Sequence, residues 1–237
     1  MRCLDLSLIA PEENLALDEA LLDQAETTGH EVLRFWESPV YFVVLGFSSP
    51  IQKDVHLDYC QNQKIPVFRR SSGGGTVVQG PGCLNYALIL NMKTRPELRS
   101  LNRTNQMIME HHKKNLDQIL SSVQTAGITD LIHNGKKFSG NAQRRKKDFL
   151  LFHGTFLYQF DVDMMKKCLK IPERQPDYRE GRSHADFTSN IPLRASKIRE
   201  TIQSSWKADA PFDLTQLPAL APSLQARYLN PTWTTKF

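Results

Sequence analysis

The spacing of apolar side chains predicts a helix near the start of the chain and two short strands after it. Between Asn14 and Asp23 the apolar residues recur mostly at helical spacing, and Pro11 with two glutamates precedes them, as is typical of a helix N-terminus. Val32–Trp36 and Tyr41–Leu45 are rich in β-branched and aromatic residues and are separated by a turn-like Glu-Ser-Pro. We expect one helix and then two strands.

Two more predicted strands flank a glycine-rich loop. Val67–Arg70 has a strand pattern that stops at Ser71–Gly75, and Thr76–Val78 resumes it. A turn at Gly80–Gly82 then leads into the apolar run Leu84–Leu90. Strand, loop and strand together predict a hairpin-like unit whose loop closely approaches another group.

The second half of the chain alternates between helical and strand patterns. Helical spacing covers Asn105–Thr125 and Pro192–Ser205, and strand-like runs cover Asp130–His133 and Phe149–Tyr158. The basic segment Lys136–Lys147 joins these two strands. No repeat or linker divides residues 1–237, so this mixed order predicts a single α+β domain built on a largely antiparallel sheet.

Composition and charge narrow the class of protein further. The 237 residues are 40% hydrophobic and 23% charged, as in ordinary globular proteins, and no apolar run approaches the roughly 20 residues that cross a bilayer. Without a secretory signal pattern, we expect a cytosolic protein, or an organelle protein after loss of a transit peptide. The four cysteines are scattered, which disfavours disulfides and a zinc site. The net charge of +5 favours an anionic partner without deciding its class.

The glycine loop carries the first candidate chemistry. In Arg69–Thr76, two arginines and two serines precede three consecutive glycines. Because glycine has no Cβ, the backbone amides can approach a bound anion, and the arginines offer forked donors for phosphate or carboxylate. A flexible turn with solvated charges is the alternative, and the spacing is not that of a Walker loop or a dinucleotide-binding turn.

A second candidate follows Thr129. Asn134-Gly135 is a favoured type I′ hairpin pair, so we predict that it places Asp130 and Lys137 on neighbouring strands. A carboxylate suited to Mg²⁺ and an ammonium suited to an acyl or phosphoryl oxygen would then face a common space; the alternative is a surface hairpin with exposed lysines. His153 lies in the next, apolar strand, and a histidine in such a strand is more often a hydrogen-bonded structural residue than a general base.

Taken in order, these segments resemble the catalytic domain of lipoate–protein ligases over roughly residues 12 to 190. The family pattern is an Asn-x-Ala-x-Asp-Glu helix, an RRxSGGGxV loop, a xNGxKxSGxAxR hairpin and a HGTLL strand. The matching segments here are Asn14–Glu19, Arg69–Val77, Asn134–Arg144 and His153–Leu157. The loop and the hairpin are specific together, although neither is specific alone.

The resemblance implies a fold shared with biotin protein ligases, a mixed and largely antiparallel sheet flanked by helices. It also implies that lipoate or octanoate attacks the α-phosphate of ATP, with Mg²⁺, to give acyl-AMP and pyrophosphate. A lysine of a lipoyl domain then attacks the acyl carbon. The implied acceptors are 2-oxoacid dehydrogenase E2 subunits or the glycine cleavage H protein, rather than nucleic acid or a membrane. Preorganised cations and amides would stabilise both transition states.

By position, Lys137 corresponds to the family's catalytic lysine, and Asp130 to an acidic residue near the nucleotide and Mg²⁺. The other residues implied to bind the substrate or the adenylate are Arg70, Ser72, Gly73, Gly74, Gly75, Thr76, Val77, Asn85, Phe138, Ser139, Gly140, Asn141, Ala142, Gln143, His153, Gly154 and Thr155. An eight-carbon chain also needs an apolar tunnel, because its burial gains ~0.8 kcal/mol per CH₂. Candidates to line it, or equally to be core residues, are Val44, Gly46, Val77 and Phe138.

Other interpretations remain open. The best-known ligases carry a C-terminal accessory domain that we expect to be absent here. Three explanations are open: the accessory domain is a separate polypeptide, the enzyme works without it, or the chain only transfers the acyl group from preformed acyl-AMP. An octanoyl- or lipoyl-transferase would instead use a cysteine thioester without ATP, and Cys83 follows the glycine loop. A carrier without turnover, or a biotin ligase, fits the RRSSGGG loop and Lys137 less well. We also predict that the basic run Arg144–Lys147 steers an acidic acceptor.

Overall fold

The larger of two sheets forms the centre of the molecule. The computed structural model describes residues 1–237, and eight strands pair in the order β11-β1-β2-β6-β10-β9-β8-β7. They are β1 (Arg2–Asp5), β2 (Val32–Trp36), β6 (Cys83–Asn91), β7 (Val123–Ala126), β8 (Asp130–His133), β9 (Lys136–Arg145), β10 (Phe149–Leu157) and β11 (Ala210–Pro211). Only β1 makes parallel pairs, with β2 and β11. The predicted mixed, largely antiparallel sheet is confirmed.

The smaller sheet corrects the predicted hairpin around the glycine loop. Its strands are β3 (Phe42–Leu45), β4 (Val67–Arg69) and β5 (Val77–Gln79). The two strands that flank the loop do not pair with each other: β4 lies parallel to β3 on one side, and β5 lies antiparallel to it on the other. Because β3 is buried along its whole length and offers both edges, the loop must cross the end of β3.

Helices cover the sheets and confirm the predicted α+β class. They are α1 (Pro11–Thr28), α2 (Ile51–Asp54), α3 (Leu57–Asn62), α4 (Leu101–Leu116), α5 (Asp163–Cys168), α6 (His184–Phe187), α7 (Ala195–Ser205), α8 (Ala221–Ser223) and α9 (Pro231–Thr234). Short 3₁₀ turns lie at Pro96–Arg99, Asp177–Arg179 and Leu214–Gln216, and a π-helical turn at Leu224–Tyr228. No helix is both long and apolar enough to span a membrane.

Helix α4 ends earlier than its sequence pattern predicts. It begins after Ser100, whose hydroxyl accepts a hydrogen bond from the Arg103 amide, and it stops at Leu116 rather than at Thr125. The Val123 amide instead binds the Asp117 carboxylate at 2.9 Å, and the chain reverses at Ser122, where φ is 66°. Pairing with β8 then makes Val123–Ala126 an edge strand. The basic segment after β8 is likewise a strand, β9, rather than a connection.

Strand β6 is buried on both faces, which fixes the positions of the helices. Leu88 and Leu90 face a core that includes Ile108 of α4 and Ile198 of α7. Ala87 and Ile89 face the opposite core, where α1 contributes Leu17, Leu21 and Leu22. Strands β8 and β9, farther from this centre, keep partly exposed side chains, so this end of the sheet is open to a ligand.

The Asn14–Glu19 motif anchors α1 and contributes no exposed group. The fully buried Arg34 guanidinium donates to Asp18 Oδ1 at 2.6 Å and to Asn14 Oδ1 at 2.7 Å. Glu19 accepts a 2.6 Å hydrogen bond from the Tyr228 hydroxyl. A buried charge must be paired and hydrogen-bonded to be tolerated, so this motif is explained by packing.

Candidate active site

The β8–β9 hairpin carries a lysine–aspartate pair. Asn134 and Gly135 have φ of 51° and 73°, as a type I′ turn requires. Lys137 Nζ lies 2.7 Å from Asp130 Oδ1, which confirms that the two residues lie on neighbouring strands. Lys137 pairs with Ile132, and the register shift between Leu131 and Ile132 places Gly140, rather than Ser139, opposite Asp130. The Lys137 side chain is 27% exposed, so its ammonium can reach a ligand.

Gly140 makes this ion pair possible. A Cβ at position 140 would lie 2.8 Å from both Cε and Nζ of Lys137 and 3.6 Å from Asp130 Oδ1. The side chain of Lys137 therefore passes over the bare backbone of Gly140 to reach the carboxylate.

Tyr178 completes the environment of Asp130. Its hydroxyl donates to Asp130 Oδ2 at 2.6 Å, and burial together with the Asp130 charge raises the pKa of this phenol. The segment that follows is tied to the hairpin, because the Ser189 amide donates to the Lys137 carbonyl at 2.9 Å. Sequence reasoning missed Tyr178; the only signal was an aromatic residue within the polar, irregular stretch after Pro176.

These residues do not form a metal site by themselves. Both carboxylate oxygens of Asp130 already accept hydrogen bonds, from Lys137 and Tyr178. No group of three or more His, Cys, Asp or Glu side chains is arranged to hold a metal ion. Mg²⁺ commonly binds through one or two carboxylates plus substrate phosphates, so the side chains of this protein alone do not specify a Mg²⁺ site.

Arg70 shapes the glycine loop from within. Its buried guanidinium donates through Nη2 to the carbonyls of Gly73 at 2.6 Å and Gly75 at 2.9 Å, and through Nε to Ser72 Oγ at 3.0 Å. Burial lowers the pKa of Arg70 to about 10, so the group remains charged at neutral pH. The glycine loop therefore wraps around the Arg70 guanidinium, and its three glycines remain exposed to solvent.

His153 holds Ser72 and is neutral. Its Nε2 lies 2.6 Å from Ser72 Oγ. Desolvation, and secondly the charge of Arg70, lower the pKa of His153 to about 3. At neutral pH the imidazole carries no charge, so it positions the serine hydroxyl rather than supplying an acidic proton.

The glycine loop bridges the two sheets. A Cβ at Gly46 would overlap the Gly74 carbonyl, so β3 can meet the loop only through a glycine. On its other side a Cβ at Gly74, where φ is 87°, would lie 3.6 Å from Ala142 Cβ. The Lys137 ammonium lies over Gly140, which is two residues, or about 7 Å at the usual strand rise, from Ala142 on the same face of β9. The ammonium and the glycine loop therefore meet neighbouring positions of one strand.

Asn141 fixes the turn that directly precedes Asp130. Its Oδ1 accepts from the Tyr86 hydroxyl at 2.6 Å, and its Nδ2 donates to the Thr129 carbonyl at 2.7 Å. The Thr129 hydroxyl donates to the Asn141 carbonyl at 2.7 Å. A Cβ at Gly154 would overlap Asn141 Oδ1, so glycine is required there. Asn141 and Gly154 thus position the hairpin, and Tyr86 is a further residue that sequence reasoning did not select.

Several other predicted residues bind the protein itself. Gln143 Nε2 donates to Asn105 Oδ1 at 2.6 Å, and the Thr76 hydroxyl donates to Asp54 Oδ2 at 2.5 Å. Three more residues make internal contacts: Ser139 Oγ accepts from Asn141 Nδ2, and Asn85 Nδ2 donates to the Cys83 carbonyl. The Thr155 side chain is hydrogen-bonded to the Cys83 thiol.

The four residues predicted to line an acyl tunnel, Val44, Gly46, Val77 and Phe138, do not all pack in one cluster. Val44 and Val77 pack with Trp36, whereas Phe138 lies in the separate core beneath α4 and α7. Two surface cavities of about 470 and 400 Å³ are lined by no predicted site residue.

Comparison with known proteins decides the family. The sequence profile of the lipoyl protein ligase A/B catalytic domain matches residues 10–207. The chain belongs to this family. Every predicted site residue lies within the matched range, and residues 208–237 lie outside it.

Individual members of the family show how broad it is. A probable lipoate-protein ligase A of Mycoplasma pneumoniae is 34% identical over 167 residues, which are 68% of this chain and 46% of that protein. The octanoyltransferase LipM of Carboxydothermus hydrogenoformans is 29% identical over 195 residues, 71% of this chain and 69% of that one. The chain spans about half the length of the Mycoplasma relatives that it matches.

A solved structure supports the family fold. Lipoate-protein ligase A bound with ATP superposes with a TM-score of 0.84 at 21% identity, covering 99% of this chain and 98% of that one. The fold of the chain is therefore that of the lipoate ligase catalytic domain.

Proposed function

We propose that the protein activates lipoate or octanoate with ATP and transfers the acyl group to a lysine of an acceptor protein. The observation that carries this proposal is the partly exposed Lys137 ammonium, paired with Asp130 on the strand that also meets the glycine loop. A cation and an exposed glycine loop at neighbouring positions of one strand suit an acyl phosphate ester, whose charge and oxygens lie close together.

In the first step a carboxylate oxygen of the acid forms a bond to the α-phosphorus of ATP, and the bond to pyrophosphate breaks. Negative charge gathers on the phosphoryl oxygens, where Lys137 stabilises it once the substrate replaces Asp130 as its partner. In the second step the acceptor amine attacks the acyl carbon, loses a proton and expels AMP. The exposed amides of the glycine loop contribute preorganised donors along the bound acyl-adenylate.

An ATP-free transferase is the second candidate, favoured by the similarity to an octanoyltransferase. It requires a thiolate. Cys83 is 1% exposed, and burial, with a smaller effect of Glu37, raises its pKa to about 12. Cys60 and Cys168 are also buried. This argues for the ligase.

We propose a lipoyl domain as the acceptor, either of a 2-oxoacid dehydrogenase E2 subunit or of the glycine cleavage H protein, because these are the acceptors that family membership implies. A separate accessory subunit is one of the explanations to be tested if the purified chain activates no acid by itself.

The test is pyrophosphate release by the purified chain with magnesium-ATP, with and without lipoate or octanoate. We expect acid-dependent release that falls at least about 100-fold in Lys137→Ala, the usual effect of removing one transition-state donor. Lys136→Ala is the matched control and should retain activity. Near-normal release by Lys137→Ala would contradict the assignment.

If the wild-type chain releases no pyrophosphate, two further substrates separate the alternatives. Acyl transfer from synthetic lipoyl-AMP indicates a transfer-only enzyme or a missing subunit. Transfer from octanoyl carrier protein that is lost in Cys83→Ser would replace the ligase by the ATP-free route.

A further inference from the structure

Arg69 is a buried cation whose hydrogen bonds all go to main-chain carbonyls. Its side chain is 0% exposed and makes no salt bridge. Its donors reach main-chain carbonyls in two segments far apart in sequence. Nη1 donates to Gly46, Phe47 and Ser49 at 2.9, 3.1 and 2.8 Å. Nε donates to Trp233 at 3.2 Å, and Nε and Nη2 donate to Thr234 at 3.1 and 2.9 Å. Because an unsatisfied buried charge is very costly, Arg69 holds the two segments together.

The second segment, Pro231–Phe237, is here called the C-terminal clamp. Trp233 Nε1 returns a hydrogen bond to the Arg69 carbonyl at 2.8 Å. The Trp233 and Phe237 rings lie 5.7 and 6.0 Å from the Phe47 ring, centroid to centroid, and Lys236 Nζ lies 5.0 Å from it. The clamp therefore contacts Arg69 and Phe47 through a hydrogen bond, two aromatic rings and a cation.

The Gly46–Ser49 turn, which the clamp contacts through Arg69 and Phe47, also contacts the glycine loop. The Phe47 amide donates to the Ser72 carbonyl at 2.9 Å, and the Arg70 amide donates to the Leu45 carbonyl at 3.0 Å. Next to Phe47, Gly46 is in van der Waals contact with the loop at Gly74. A chain of direct contacts thus leads from Trp233 through Arg69 and the Gly46–Ser49 turn to the three glycines.

We propose that the C-terminal clamp fixes the glycine loop in its ligand-binding shape, with Trp233 as a positioning residue that does not itself touch the loop. Three consecutive glycines lose much conformational entropy when they become ordered around a ligand. If the Gly46–Ser49 turn beneath the loop is already ordered in the free protein, this entropy cost is smaller, and such preorganisation strengthens binding. The clamp should therefore act on substrate affinity more than on the chemical step. Its residues lie outside the family match, which assigns them no role.

The first measurement needs no substrate. Amide hydrogen exchange of Phe47 and Arg70 is followed in the free protein for wild type, Trp233→Phe and Trp233→Ala. Phenylalanine keeps a ring against Phe47 and loses the bond to Arg69, whereas alanine loses both. We expect about tenfold faster exchange at both amides in Trp233→Ala, the equivalent of about 1.4 kcal/mol, and an intermediate increase in Trp233→Phe.

Trp206→Phe is the matched control. The Trp206 indole also donates one hydrogen bond, to His112 Nε2 at 3.0 Å, but it packs against the core of the large sheet. It should leave the Phe47 and Arg70 amides unchanged. Unchanged exchange at these amides in Trp233→Ala, or an equal increase in Trp206→Phe, would overturn the clamp.

The second measurement rests on the proposed function. In acid-dependent pyrophosphate release we expect Trp233→Ala to raise the KM for the acid about tenfold and to change kcat less than about twofold. Faster exchange with an unchanged KM would overturn the role of the clamp in substrate binding. If the wild type releases no pyrophosphate at all, the purified chain lacks the proposed activity, while the exchange experiment still decides whether the clamp fixes the loop.

Discussion

Single glycines decide whether the polar side chains of the site can meet. Gly154 is the sharpest case, because a methyl group there would occupy the position of Asn141 Oδ1. Asn141 would have to abandon its bonds to Tyr86 and Thr129. Overpacking of this kind typically costs about 1–3 kcal/mol, and the lost buried hydrogen bonds add to it.

We therefore expect Gly154→Ala to lower the free energy of unfolding by about 2 kcal/mol or more, and to reduce acid-dependent pyrophosphate release because Thr129 directly precedes Asp130. Urea denaturation measures the first effect. Gly73→Ala is the control, since a Cβ at position 73 meets nothing within 4 Å; its stability should stay within about 0.5 kcal/mol of wild type. Equal stability losses for the two variants would refute the steric argument.

The neutral state of His153 predicts how stability depends on pH. Its pKa falls from 6.5 in the unfolded chain to about 3 in the folded one. Between these values the unfolded state binds the additional proton, so the free energy of unfolding decreases as pH falls from about 6.5 towards 3. His112, whose pKa burial also lowers to about 3, acts in the same direction.

Replacing one of the two histidines should therefore weaken, but not abolish, acid sensitivity. We expect His153→Gln, which can still bind Ser72, to reduce the slope of unfolding free energy against pH by about 1 kcal/mol per pH unit between pH 6 and 4. Urea unfolding at several pH values measures that slope, and His112→Gln offers an independent comparison. A slope identical to wild type in His153→Gln would mean that the imidazole titrates normally in the folded protein.

At the scale of elements, local turn chemistry made the lysine hairpin predictable. The Asn134-Gly135 pair fixes a two-residue reversal, so the adjacency of Asp130 and Lys137 follows from sequence alone. The register shift places the bare backbone of Gly140, rather than Ser139, opposite Asp130 and under the Lys137 side chain, and the alternation of side chains does not reveal this shift.

The glycine loop and α4 were less predictable because long-range pairing decides them. Strands β4 and β5 are neighbours in sequence, but both pair with β3, and no local signal distinguishes this from a hairpin. The helical pattern of α4 continues past Leu116, yet pairing with β8 makes Val123–Ala126 a strand. Tyr178 reaches Asp130 across 48 residues, a contact that only the folded chain creates.

At the scale of the whole molecule, the structure changes the expected role of the basic run Arg144–Lys147. Arg144 donates to the Ser71 carbonyl, Arg145 donates to the Leu98 carbonyl, and Lys146 pairs with Asp23. The run also begins four residues beyond Gly140, over which the Lys137 ammonium lies, so it is roughly 13 to 23 Å from that ammonium at the usual strand rise. That distance exceeds the Debye length of about 8 Å at physiological ionic strength.

An acidic acceptor that delivers its lysine to Lys137 should therefore sense the hairpin tip rather than this run. We expect Lys136→Glu to slow acyl transfer several-fold and Lys147→Glu to change the transfer rate less than about twofold. Neither substitution should change the rate of adenylate formation by as much as Lys136→Glu changes the transfer rate, because electrostatic steering acts on the encounter with the acceptor and not on the bound acid. Transfer rates measured with preformed acyl-AMP at rising salt provide the test, and the difference between the variants should vanish at high ionic strength. A larger effect of Lys147→Glu would place the acceptor over the basic run after all, and a salt-independent loss in Lys136→Glu would mean that the substitution disturbs Lys137 itself.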